Sequence, residues 1–111
     1  MAKMERVLKG NFDKILAVIE DGILRGSATA SLEDKSDFSG GNSRCSVRVF
    51  ERYSMLGSNR VSMSVTLFQG SDDLIYLSAI TSGGSQAMFM KLNTFGEEAF
   101  LEKLEAVLDR N

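Results

Sequence analysis

The chain has 111 residues, 43% of them hydrophobic, with 13 basic and 15 acidic side chains and a formal net charge of -2. That length and apolar content suit one core, so residues 1–111 are read as a single domain, and the acidic balance excludes a surface that binds polyanions all over. Histidine and tryptophan are absent, which removes the commonest general base and the commonest zinc or iron ligand, and the lone Cys45 excludes an internal disulfide.

The N-terminal MAKMERVLKG lacks an apolar core of signal-peptide length, and no uncharged run approaches the length of a membrane span. The expected setting is a reducing cytoplasm, with no membrane contact and no cofactor. Residues 2 to 9 alternate and end at Gly10, which predicts a first strand. Asn11 then caps a helix whose apolar face is Phe12, Ile15, Leu16, Ile19 and Ile23 and whose stop is Gly26; Gly22 inside it is a weakening residue. Ser27 to Glu33 reads as a lightly packed edge strand, and the polar DKSDFSGGNS from Asp34 to Ser43 as a loop.

RCSVRVFERY, from Arg44 to Tyr53, alternates cleanly and predicts a strand with Cys45, Val47 and Val49 facing the core. RVSMSVTLF places Val61, Met63, Val65 and Leu67 on one side, and pairing Val49 with Val65 and Val47 with Leu67 joins the two apolar sets. After a tight loop at Gly70 to Asp73, DLIYLSAITSGGSQAMFMKLN reads as a hairpin turning at Gly83-Gly84. Its core pairs are Ala79 with Met88, Leu77 with Met90 and Ile75 with Leu92, and matching core faces sets Val65 beside Leu77. Thr94 and Glu97 have capping-box spacing before a final helix striped by Phe100, Leu101, Leu104, Val107 and Leu108.

The expected architecture is a two-layer α+β domain in β-α-β5-α order, a curved antiparallel sheet with both helices on one face. That element order resembles the TATA-box-binding and helix-grip families. The stretches DGILRGSATASLED, RCSVRVFERYS, AITSGGSQA and NTFGEEAFL together resemble a family of small uncharacterised bacterial proteins, a domain of unknown function. This resemblance implies no activity, cofactor or site residue.

The open sheet face is the leading functional candidate. The predicted strands align Arg48 with Thr66, Tyr76 and Lys91, then Phe50 with Ser64, Ser78 and Phe89, then Arg52 with Ser62, Ile80 and Ala87. Exposed aromatics there predict a non-enzymatic homodimer that buries Phe50, Tyr76, Ile80 and Phe89, with Arg48, Arg52 and Lys91 around them. The runner-up is a small apolar ligand between the sheet and the C-terminal helix, with Glu51, Tyr53 and Gln86 as polar contacts and methionines as adaptable walls. A third and weaker reading uses the sheet-face residues for single-stranded nucleic acid, stacked on Phe50 and Phe89 and neutralised by the basic side chains. A solvated face with scattered apolar residues is the alternative to all of these. Cys45 reads as a small buried residue, and the acids Glu33, Asp34, Asp37, Asp72 and Asp73 as solvated turns without calcium-loop spacing.

Overall fold

A computed structural model describes residues 1–54, 59–83 and 90–110. Five strands, β1 (Ala2–Leu8), β2 (Ser31–Gly40), β3 (Ser43–Ser54), β4 (Asn59–Gln69) and β5 (Ile75–Gly83), form one antiparallel sheet in the order β1-β5-β4-β3-β2. The chain leaves one edge at β1 and re-enters at the other at β2, so α1 (Phe12–Gly26) must cross the sheet between them. The C-terminal α2 (Met90–Asp109) packs beside α1, and one core of residues from both helices and the sheet makes the two-layer α+β architecture.

Local chemistry sets the helices. The Asn11 carboxamide accepts the Lys14 amide at 2.9 Å, satisfying a donor that the first turn leaves without a partner. Phe12, Leu16, Ile19 and Ile23 then bury one face of α1, and Phe100, Leu101, Leu104 and Val107 bury one face of α2, while Glu98, Glu102, Glu105 and Asp109 stay exposed. The α2 stripe and the α1 cap follow the sequence pattern. The start of α2 does not: the helix already runs at Met90, so Thr94 lies within it rather than capping it, and Glu97 is buried against the Met1 amino group at 2.9 Å.

The sheet corrects three expectations. The polar Asp34–Ser43 stretch is mostly strand, with the turn confined to Gly41 and Asn42. β2 is an edge with little helix over it, so polar residues fit on both of its faces, and a register shift at Leu32/Asp34 bends it. The strand expected from Ser85 to Leu92 is not formed at its end, because Met90 to Leu92 are helical, and β1 takes the edge of β5 reserved for it (Leu8 opposite Ile75, Met4 opposite Ala79). The described residues therefore run β-α-β4-α. The Gly84 half of the predicted turn, with Ser85 to Phe89, lies outside the described residues.

The third correction is register. Val47 faces Thr66 and Val49 faces Ser64, one residue away from the expected pairing, which turns β3 over. Phe50 is opposite Met63 and is 0% exposed, Arg48 is opposite Val65, and Cys45, Val47 and Val49 look away from the helices. Between β4 and β5 the shift is two residues, Val65 opposite Ala79 and Leu67 opposite Leu77, which keeps the same side chains in the core.

Candidate interface on the open sheet face

Both helices cover one face of the sheet. On the other, the registers place Val7, Tyr76, Phe68, Cys45 and Phe38 in one straight row across β1, β5, β4, β3 and β2. Four of these are large and exposed: Val7 58%, Tyr76 40%, Phe68 42% and Phe38 74%. The Phe68 and Tyr76 rings lie 6.3 Å apart at 47°, a tilted pair. The Tyr76 hydroxyl donates to Asp72 Oδ2 at 2.6 Å, which holds the Asp72 carboxyl below its usual range and raises the phenol. Asp72 also accepts the Leu74 amide at 3.1 Å, in a turn where Asp73 adopts φ 62°, so the loop braces the tyrosine.

Beyond the apolar row the face is small and uncharged in its centre. The next rows are Glu5-Ser78-Thr66-Val47-Ser36 and Lys3-Ile80-Ser64-Val49-Asp34, with charge only on the edge strands β1 and β2. At the far end Arg60 donates to Glu51 at 2.8 Å and reaches Glu33 at 4.0 Å. The apolar stripe thus lies at one end of the strands, with small neutral residues beside it and charge kept to the edges and the far end, so the middle of the face is poor in charge as an interface is.

The residues singled out from sequence fall in different places. Arg48 and Phe50 are buried on the helix side, and Arg52 shares that side with its guanidinium carbon 4.9 Å from the centre of the Phe100 ring. Burial pushes the Arg52 guanidinium below its usual pKa. Arg48 donates to Glu20 on α1 at 2.8 Å and to Asp37 on β2 at 2.9 Å, so it ties three elements together. These three are therefore not part of an exposed row, and Arg48, Arg52 and Phe50 do not form a basic stacking surface with an outside face. Lys91 lies in α2, not on the sheet. Tyr76 and Ile80 are on the open face as expected. Glu51 and Tyr53 are also on the open face, not between sheet and helix, and Phe89 and Gln86 lie outside the described residues. Cys45 is half-buried between Phe38 and Phe68 instead of sitting in the core.

The sequence pattern did not single out Phe38, whose neighbours are polar or charged, nor Val7 and Phe68, whose cross-strand partners depend on register. The available signal was an isolated phenylalanine in the polar DKSDFSGGNS, but its meaning depended on a strand and a register that composition did not show. Among the described residues there is no group of three or more metal-ligating side chains, and no helix is long and apolar enough to cross a membrane.

The fold and site define a small α+β domain with one face of its sheet closed by helices and the other left open around an apolar row. The chain belongs to a family of unknown function, DUF6054, whose model matches residues 1–111. No curated protein and no solved structure matches it.

Proposed function

We propose that this is a non-enzymatic cytoplasmic assembly domain that pairs with a second copy of itself through the open sheet face. The observation that carries the reading is the unbroken row Val7-Tyr76-Phe68-Cys45-Phe38. A second copy is favoured by charge. A two-fold axis along β4, between two facing sheets, exchanges β1 with β2 and lays the row on its own copy. Lys3 at one end of its row then meets Asp34 of the second copy at the other end.

The area sets the strength. Five strands about 4.8 Å apart and four outward positions per strand give on the order of 500–600 Å² per partner. A standard stable interface buries roughly 800 Å² per partner, so the expected dimer is weak and dissociates on dilution. Light scattering on a sizing column across a wide concentration range tests this. The mass should rise toward twice the monomer, and Phe68→Glu, placed at a half-exposed position, should stay folded by circular dichroism and monomeric throughout. A wild-type monomer at every concentration, or a Phe68→Glu dimer, overturns the reading.

A further inference from the structure

A second feature lies on the helix side of the sheet, where the end of β1, the first half of α1 and the end of α2 meet. Leu8, Ile15, Val18 and Leu108 line a cleft of 310 Å³ whose remaining walls include Lys9 and Lys14. The four apolar residues are only partly buried, and no element among the described residues covers them. Gly10, at φ 137°, bends the chain between β1 and α1 and keeps this corner open.

The charges around the cleft do not cancel. The nearest carboxylates in sequence are engaged elsewhere: Asp13 accepts from Arg44 at 2.8 Å, and Asp109 accepts from Arg6 at 3.1 Å. Lys9 and Lys14 make no ion pair among the described residues. The positive end of the 15-residue α1 begins beside them, which adds to the same field. The volume lies at the small end of the roughly 300–1,000 Å³ range of ligand pockets.

We infer that this cleft is a binding site for a small amphipathic carboxylate, a medium-chain acyl anion whose tail lies on Leu8, Ile15, Val18 and Leu108 and whose head group lies between Lys9 and Lys14. The site is separate from the proposed dimer face. The lysines supply the selectivity, because an apolar crevice alone favours a neutral alcohol over a carboxylate of equal chain length, whose charge resists leaving water.

Titration of the full chain with sodium octanoate, followed by methyl resonances in NMR, tests the inference, with 1-octanol as the neutral control. The expected result is saturable shifts at the Leu8, Ile15, Val18 and Leu108 methyls, with octanol binding at least about fivefold more weakly. Lys9→Glu/Lys14→Glu changes two exposed side chains and should weaken octanoate about tenfold or more, a loss that salt mimics in the wild type. Absence of shifts at these methyls, equal binding of octanol, an unchanged affinity in the double variant, or shifts confined to residues around Phe68 each overturn it.

Discussion

Gly22 of α1 rests directly on Val107 of α2: a β-carbon at Gly22 would stand 2.6 Å from both valine methyl carbons. The glycine that weakens α1 by its own propensity is thus a point of direct contact between the two helices. Gly22→Ala gains about 1 kcal/mol of helix propensity but overpacks a stiff β-branched neighbour, a cost of about 1–3 kcal/mol. We expect a net loss of up to about 2 kcal/mol, seen as a lower melting temperature. In a Val107→Ala background the same change should become neutral or stabilising, a non-additivity that thermal melts of the four proteins can measure.

The Arg48 network predicts an asymmetry. The arginine side chain is 6% exposed, whereas Glu20 and Asp37 are 29% and 55% exposed. Removing the buried charge leaves two carboxylates that water can reach, so Arg48→Met should cost about 1 kcal/mol or less. Glu20→Ala instead strips a partner from a buried guanidinium and should cost about 2–3 kcal/mol. Urea midpoints of the two variants give the comparison, and equal losses would show that the arginine is held by packing of its stem alone.

Acid should loosen both the Arg48 network and the Asp72 loop. The Ser46 hydroxyl and the Arg48 guanidinium hold the Asp37 carboxyl below its ordinary value of 3.8, and Asp72 is lowered by Tyr76 and the Leu74 amide. A carboxyl whose folded pKa lies below its unfolded one stabilises the protein above the unfolded value and loses that contribution as pH falls through the folded one. The melting temperature should therefore drop below about pH 4, and Asp37→Asn should flatten part of that drop. With no histidine in the chain, no imidazole contributes a step between about pH 6 and 8.

The helices were legible in the sequence because a single periodicity decided each buried face, and Asn11, Phe12 to Ile23 and Phe100 to Val107 all followed it. The sheet was legible as an architecture and not as a register. On β3 the apolar alternation Cys45-Val47-Val49 competes with Arg44-Ser46-Arg48-Phe50-Arg52, and counting apolar residues favours the wrong set. The arginines win the helix side through partners from elsewhere in the chain: Arg44 sits 4.0 Å over the Phe12 ring, Arg48 bonds Glu20 and Asp37, and Arg52 lies over Phe100. Cation-π contact and a buried ion pair make long basic side chains acceptable there. Neither is visible in the local pattern. The candidate site inherited that error, since Phe50 and Arg48 were placed outside by the same one-residue slip, while Tyr76 and Ile80 on β5 were unaffected.

The orientation of the proposed dimer has its own test, independent of whether the apolar row associates at all. Lys3 and Asp34 end the same row at opposite edges of the sheet, through Ile80, Ser64 and Val49. With the two-fold axis along β4, each lysine stands over the other copy's aspartate. The roughly 30° offset of aligned sheets displaces the edge strands by about 5 Å, within reach of a lysine stem. Rim charges of this kind act modestly, so Asp34→Lys should weaken the dimer severalfold, through repulsion as much as through the lost pair. Lys3→Asp alone should do the same. The combined Lys3→Asp/Asp34→Lys protein exchanges the signs and should recover most of the wild-type association in sedimentation equilibrium. If both single variants weaken the dimer and the double variant weakens it further, the two edges do not meet. The axis would then run across the strands, placing β1 over β1.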